Sequence, residues 1–300
     1  MIDRYIKLFG EDQIIDFLEG NERKLMPSIK VNILKISTEA LYEKLTNKGF
    51  ELKPVPFVSD GFYVKKEPFS IGATTEYLLG YYYIQRVASM IPSLALSPTA
   101  RDLVVDMCAA PGGKTVHLAQ FMNNQGVILA MDLDRQRMKS LRSNLSRCGI
   151  QNVIAIRMDA ANLAQLHVKN ISKILLDAPC SGSGLIPVDP TRKMSRGYED
   201  IEFCSNIQMK LIKAALSSLT RDGELVYSTC SIEPEENEFV IEAALNQFEV
   251  RITDLNIDFG EPGLTNIFGK KLSPELKKAR RFYPHLHKTV GFFICKLKKV

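Results

Sequence analysis

The sequence predicts an α/β fold, a parallel doubly wound sheet preceded by a smaller α+β unit. Three observations predict it. After residue 101, short apolar runs of strand length alternate with polar stretches of helix length. Four of these five runs end in an aspartate and the fifth runs into a cysteine, so polar groups collect at one end of the strands. Before residue 100 the runs are shorter and follow a β-α-β-β order closed by Pro and Gly turns. The expected division is an N-terminal region over 1–95 and a larger domain over 96–300, and 300 residues suffice for both.

Taken in order, residues 1–25 carry Tyr5, Leu8, Phe9, Ile14, Ile15, Phe17 and Leu18 at helical spacing. Ser28 to Asn32 reads as a strand. Ser37-Thr38-Glu39 caps a helix over Ala40 to Asn47 that Lys48-Gly49 ends. Phe50 to Val55 and Gly61 to Lys65 follow as strands. Tyr77 to Met90 reads as a helix, with Pro92 and Pro98 marking a linker. The five runs of the larger domain are Leu103–Asp106, Val127–Asp132, Val153–Asp159, Lys173–Asp177 and Glu224–Thr229. Helices are expected over 115–122, 134–147, 204–219 and 235–246. Phe248 to Ile252 and Phe292 to Leu297 are late strands suited to an antiparallel hairpin at one edge.

Composition excludes several classes. Apolar residues make 45% and charged residues 24%, a globular balance that is neither disordered nor collagen-like. No apolar run reaches the roughly 20 residues of a membrane span. Met1-Ile2-Asp3-Arg4 opens no signal-peptide segment, so a cytoplasmic protein is expected. The six cysteines form no CxxC pair and stand at no zinc spacing, so neither a disulfide scaffold nor a metal is expected. No long apolar seam calls for a partner subunit, and a monomer is expected.

The net charge is +5, but it is uneven. Residues 1–100 hold twelve basic and twelve acidic side chains, whereas ten basic residues and one acid, Glu275, lie between Phe268 and Val300. Lys270, Lys271, Lys277, Lys278, Arg280 and Arg281 are its dense part. Arg135, Arg137, Lys139, Arg142 and Arg147 form a second group. Each cluster reads either as solvated surface or as a track for a polyanion.

Ligands of such sheets bind outside the carboxyl ends of the strands. Asp106, Asp132, Asp159, Asp177 and Cys230 should therefore line one crevice. The first run leads into Cys108-Ala109-Ala110-Pro111-Gly112-Gly113-Lys114-Thr115, a glycine loop before a helix. Three readings compete for it. Gly113-Lys114-Thr115 copies the end of an NTPase phosphate loop, but the glycine needed five residues before Gly113 is Cys108. A dinucleotide site needs GxGxxG, which is absent. The third is a nucleoside cofactor without phosphates, such as S-adenosylmethionine, with Asp132 accepting from the ribose and Asp159 meeting the adenine edge. Arg137 is a further possible contact, and Asp106 is better placed to hydrogen-bond the loop. Asp177-Ala178-Pro179-Cys180-Ser181-Gly182-Ser183-Gly184 and Ser228-Thr229-Cys230-Ser231 follow neighbouring strands, so Cys180 and Cys230 should face one pocket.

These segments, with Tyr227 and Pro234-Glu235-Glu236-Asn237-Glu238, resemble the Nol/Nop/Sun (RsmB/NSUN-type) family of RNA cytosine-C5 methyltransferases. Weaker matches are Ile29-Lys30-Val31-Asn32, the stretch from Tyr82 to Pro92, and Arg281-Phe282-Tyr283-Pro284-His285 before Gly291-Phe292-Phe293; together they span about residues 29–293. The chain departs from the family at Asp222-Gly223, usually Gly-Gly, and at Arg86, often an acid. No PUA-type module is evident.

The resemblance implies a class I S-adenosylmethionine-dependent methyltransferase fold, an RRM-like N-terminal unit that grips RNA with the basic C-terminal tract, and covalent catalysis. Cytosine C5 is a poor nucleophile; a thiolate adding at C6 makes C5 able to attack the sulfonium methyl. The family gives that role to Cys230, with Lys114 one means of favouring its thiolate. Asp177 would contact N3 and the exocyclic amine, and Cys180 would assist release of the product. The cofactor contacts carried over are Cys108 to Lys114, Asp132, Asp159 and Asp177. The target base must be unpaired or flipped out, and Gly61-Phe62-Tyr63 offers rings for stacking or for the core. Compact members of this type suggest tRNA, with rRNA second. A DNA cytosine-C5 methyltransferase would use Cys180 as nucleophile but lacks its Pro-Cys-Gln form here; a non-catalytic RNA-binding protein would have lost a cysteine or an acid.

Overall fold

The computed structural model describes residues 2–300. Two compact units are present. One is Met26–Asn162 with Asn170–Leu175; the other is the chain up to Leu25, Leu163–Lys169 and Leu176–Val300. No helix of the described residues is long and apolar enough to cross a membrane.

The chain opens with two helices, α1 (Ile2–Phe9) and α2 (Glu11–Glu22), rather than one. Gly10, at φ 81°, breaks them apart. The first unit then begins with β1 (Ser28–Val31), α3 (Thr38–Thr46), β2 (Glu51–Val55) and β3 (Val58–Lys66). The Ser37 hydroxyl caps α3 by accepting from the Ala40 N–H at 3.2 Å. The antiparallel order is β2-β3-β1-β4, where β4 is Tyr82–Ile84. Ile29, Val31, Leu41, Leu45, Phe62 and Tyr82 form its core, so Phe62 is a core ring and not a stacking surface.

The helix expected over Tyr77–Met90 is not formed. A short α4 (Thr75–Leu78), strand β4 and α5 (Val87–Leu96) replace it. Gly80, at φ 71°, stops α4, and Asn32 Nδ2 donates to its carbonyl at 2.8 Å. The next residues pair with β1 in the register Ile29↔Ile84 and Val31↔Tyr82. Pro92 lies inside α5 and marks no linker. An interior proline costs about 3 kcal/mol. Full burial of Val87, Met90, Ile91 and Leu96, each contributing roughly 1.5–3 kcal/mol, outweighs it.

Next come β5 (Leu103–Asp106), α6 (Gly113–Phe121), β6 (Val127–Asp132), α7 (Arg135–Cys148), β7 (Val153–Arg157) and β8 (Ile171–Asp177). Strands β8, β5, β6 and β7 are neighbours in that order, and β5 runs parallel to both β8 and β6, as β6 does to β7. Parallel strands read as continuous apolar runs, which is why the sequence shows them clearly.

Strand β8 ends in the second unit. There follow α8 (Arg192–Ser195), α9 (Tyr198–Ser218), β9 (Leu219–Thr229) and α10 (Glu238–Gln247). Then come β10 (Val250–Thr253), β11 (Glu261–Pro262), β12 (Asn266–Ile267), β13 (Lys270–Lys271), β14 (Arg280–Phe282), α11 (Pro284–His287) and β15 (Phe292–Lys299). Strand β9 begins five residues earlier than expected, because Asp222, at φ 62°, bends without breaking the strand and pairs with Lys298 at 3.0 Å. The late antiparallel pairing is present and is larger than a hairpin: β15 pairs with β10, β14 and β9. Helices α1 and α2 pack in this unit through Tyr5, Ile14 and Phe17 against Ile232 and Tyr283. Gly20 of α2 is needed there, since a Cβ would lie 2.7 Å from the His285 backbone.

Not all of the basic tract is surface. Lys270, Lys271 and Lys277 are exposed, but Arg281 is 1% exposed and clamped to Glu238 at 2.8 Å. In the other unit Arg147 stacks on Tyr77, 4.1 Å from the ring centroid, and donates to the carbonyls of Tyr77 and Tyr82. Both arginines are structural, whereas Arg135, Lys139 and Arg142 are exposed on α7.

Candidate active site

The predicted residues form two groups, one in each unit. The first is the loop between β5 and α6. The glycine Gly112, at φ 108°, sits just before α6, and a Cβ on Gly113 would come within 2.9 Å of the Tyr83 ring. Only glycine leaves this backbone bare at a helix N-terminus. A cis peptide precedes Pro111. Asp106, at the end of β5, accepts from the Thr115 hydroxyl at 2.7 Å, so it braces the start of α6 as expected. The Ala109 N–H donates to the Met131 carbonyl at 2.8 Å, tying the loop to β6.

Asp132, 4% exposed, closes β6 and accepts from the N–H groups of Ala110 at 3.2 Å and Asp134 at 3.1 Å. Arg137 reaches the same place. Its Nη1 lies 3.3 Å from Asp132 Oδ2 and its Nη2 donates to the Ala110 carbonyl. Arg137 thus knits the loop to Asp132. A carboxylate offers about four acceptor positions; three contacts leave Asp132 one for a further donor. Asp159 is exposed and accepts from the Ala161 N–H at 2.9 Å. The Lys114 carbonyl accepts from Ser93. No group of three or more metal-ligating side chains occurs among the described residues.

The second group follows β8 and β9. Cys180 Sγ and Cys230 Sγ are 3.0 Å apart, as two free thiols in hydrogen-bond contact. The hydrogen bond with Cys230, then burial, then the negative charges of Glu236 and Asp177 push the Cys180 thiol well above its ordinary range. Burial and the nearby negative charges thus favour the thiol form of Cys180, and either sulfur can donate across the contact. Asp177 accepts from the Ser228 hydroxyl at 2.7 Å. The two loops are joined beside the thiols, since the Gly184 N–H donates to the Cys230 carbonyl at 3.0 Å and the Ile232 N–H to Ser183 Oγ at 3.0 Å. Cys148 and Cys295 are buried, as small apolar side chains.

Sequence reasoning assigned no role to the acids after Cys230. Glu233 accepts from Arg4 and Tyr5 of α1, both at 2.9 Å. Glu236 is buried and takes donors from Ser181, Ser231 and Gln208. Glu238 holds Arg281, which also donates to the Ile232 carbonyl at 3.0 Å. The run from Ser231 to Glu238 is polar and reads as surface; only the fold shows that Glu233, Glu236 and Glu238 are buried with donors around them.

The description of the RsmB/F 16S rRNA methyltransferase family matches residues 93–298, and that of the N-terminal domain of the 16S rRNA methyltransferase RsmF matches residues 1–86. The 28S rRNA (cytosine-C(5))-methyltransferase of Mus musculus is 40% identical over the whole of this chain, which spans 38% of that protein. The chain spans half or less of the similar yeast and worm proteins as well. The tRNA (cytosine(49)-C(5))-methyltransferase of Pyrococcus abyssi is 35% identical over all of this chain and 95% of its own length. Two solved structures match throughout. A methyltransferase homologue from Pyrococcus horikoshii is 49% identical with a TM-score of 0.91, covering 99% of this chain and 94% of its own. NSun6 from Pyrococcus horikoshii, solved with SFG, is 29% identical with a TM-score of 0.89, covering 100% and 97%. With the glycine loop before α6, the aspartates closing the parallel strands and the paired thiols, these matches place the chain in the RsmB/F methyltransferase family, on the class I methyltransferase fold.

Proposed function

We propose that the chain is an S-adenosylmethionine-dependent RNA cytosine-C5 methyltransferase that acts on tRNA. The observation that carries the reading is the pair of thiols 3.0 Å apart, directly after β8 and β9, in a chain of this family. The residues of the glycine loop fit the cofactor. The bare backbone of Gly112 and Gly113 at the start of α6 suits a carboxylate, Asp132 keeps one acceptor for a ribose hydroxyl, and Asp159 is open to an adenine edge. Cys108, Ala109, Ala110, Pro111 and Lys114 complete the cradle, and Arg137 supports it by holding Asp132. When bound, the cofactor supplies a sulfonium methyl as electrophile.

Cys230 adds as a thiolate to C6 of an unpaired cytosine, which makes C5 nucleophilic. The Cys180 thiol lies beside the attacking sulfur. Asp177, steadied by Ser228, faces N3 and the exocyclic amine. After C5 has gained its methyl group, the C5 proton passes to Cys180, as its thiolate, or to a water beside it, and the C6–S bond breaks with its electron pair returning to Cys230.

Among the relatives above whose names give an RNA, the tRNA (cytosine(49)-C(5))-methyltransferase is spanned over 95% of its length, which favours that substrate. The 40% identity with the mouse protein named for 28S rRNA supports rRNA as the second reading. The N-terminal region over 1–95 and the exposed lysines of the C-terminal tract supply RNA contacts. The test uses Cys180→Ala protein expressed with its cellular RNA. An RNase-sensitive band that resists denaturant is expected above the free protein, and it disappears in Cys180→Ala/Cys230→Ala. Sequencing the attached RNA separates tRNA from rRNA. Normal turnover by Cys180→Ala rejects the release role.

A further inference from the structure

The acid Glu236 lies under both thiol-bearing loops. Its Oε1 accepts from the Ser181 N–H at 2.8 Å and from Gln208 Nε2 at 3.0 Å. Its Oε2 accepts from the Ser181 hydroxyl at 2.5 Å and from the Ser231 hydroxyl. Four donors fill the four acceptor positions of one carboxylate. Ser181 is the residue after Cys180, and Ser231 is the residue after Cys230. Gln208, on α9, also donates to the Pro179 carbonyl at 2.9 Å, so it holds the residue before Cys180 to the same group. The Glu236 backbone is itself pinned, because Tyr227 of β9 donates to its carbonyl at 2.6 Å.

An acid buried to 0% exposure is costly unless it is fully bonded, and burial does push the Glu236 carboxyl upward against its hydrogen bonds. Further ties between the loops attach farther from the first thiol, at Ser183 and Gly184. The Ser181 and Ser231 hydroxyls also meet each other, but only at 3.5 Å; the carboxylate of Glu236 binds both at shorter range.

We infer that Glu236 is a positioning residue that sets the spacing of Cys180 and Cys230 by tethering Ser181 and Ser231 to one buried carboxylate. The inference deepens the proposed function and rests on its reading of these two thiols as the reacting pair. Glu236 touches neither sulfur and does no chemistry itself. It holds two loops in register so that one thiol donates to the other. A side-chain amide can replace it, because serine hydroxyls rotate to accept as readily as to donate; alanine cannot.

The test needs no RNA. With 2,2′-dipyridyl disulfide, one thiolate of the pair attacks the reagent and expels the first pyridine-2-thione. The second thiolate then attacks the mixed disulfide, expels another pyridine-2-thione and closes Cys180–Cys230. The two thiols lose two protons and two electrons, and the reagent is reduced. The second step does not depend on reagent concentration, so its rate reports how well the sulfurs are aligned; peptide mapping identifies the closed pair. Glu236→Ala is expected to slow closure at least about tenfold, the scale of a sub-ångström to ångström misplacement. Glu236→Gln is expected to stay within about threefold of the unaltered protein. Closure by Glu236→Ala within about twofold overturns the inference, and so does a Glu236→Gln variant as slow as Glu236→Ala, which would make charge and not tethering the cause.

Cooperative melting and unchanged S-adenosylhomocysteine binding establish that the variants are folded. If Glu236→Ala does not fold, Ser181→Ala/Ser231→Ala takes its place. Slow closure by that pair supports the tether and unaltered closure overturns it. On tRNA, Glu236→Ala should lose kcat with KM held. Normal slowing of closure in a protein whose parent methylates no RNA would leave the tether standing and overturn the proposed function.

Discussion

At the scale of single residues, burial decides what a polar side chain does. His117 is 2% exposed on α6, its Nδ1 lacks a hydrogen-bond partner, and it stacks on Phe121. Burial, then the charge of Lys30, pushes its pKa well below the ordinary value of 6.5. Below pH 6.5 the unfolded chain binds a proton that the folded chain refuses. The stability from a neutral His117 is thus complete above pH 6.5 and is lost as pH falls. The loss approaches about 1.4 kcal/mol per pH unit. Urea unfolding at two pH values, about 7.5 and 5.5, should show the unaltered protein losing at least ~1 kcal/mol more than His117→Leu. Equal losses would remove the buried histidine from the account. His285 and His287, also lowered by burial, act in the same direction in both proteins. Of the individual residues, the places of both cysteines and of Asp106, Asp132 and Asp177 at their strand ends were legible from motif and position, whereas β7 stops at Arg157 and leaves Asp159 two residues beyond it. Arg281 was not. Its place in a basic run argued for surface, and only its pairing with Glu238 shows why a guanidinium is buried there.

At the scale of elements, junctions were harder to read than strands. The stretch over 75–96 has enough apolar residues for a long helix, and local pattern alone favours one. Gly80 decides against it. Its φ of 71° suits glycine, and a Cβ there would stand 2.0 Å from the Arg147 carbonyl at the end of α7. Gly80→Ala should therefore destabilise the protein by more than ~2 kcal/mol, since left-handed strain of roughly 1–2 kcal/mol adds to displacement of a backbone group. A shift in urea midpoint worth under about 0.5 kcal/mol would show that the turn can move aside. The same junction explains Asn32, whose amide donates to the carbonyls of Gly80 and Cys148, both at 2.8 Å. Strand β1, the α4–β4 turn and α7 share one side chain, which no short-range pattern shows.

At the scale of the whole molecule, charge distribution matters more than net charge. The formal excess of five is small, yet Lys270, Lys271 and Lys277 are exposed close together in sequence. Each phosphate that such a residue neutralises steepens the salt dependence of RNA binding by about 0.7–0.9 in logarithmic slope. Replacing the three by Gln should lower the slope by about 2 while leaving S-adenosylmethionine affinity unchanged. A slope unaltered by the triple replacement would take this tract out of the RNA interface. Arg281 belongs in no such experiment, because removing it leaves Glu238 buried without its partner.

The sequence by itself determined the alternation of strands and helices, the acids at the strand ends and the two thiols after neighbouring strands. Those features are local: a buried parallel strand is a continuous apolar run, and a ligand-facing loop shows its glycines and acids in order. The tertiary structure alone decided which charges are buried, where the stretch over 75–96 breaks, and that α1 reaches Glu233 and Glu236 spans both cysteine loops. These depend on contacts between residues tens to hundreds of positions apart, such as Arg4 with Glu233 and Ser181 with Glu236. A buried carboxylate is defined by the donors that fold around it, and the sequence lists those donors without saying that they meet.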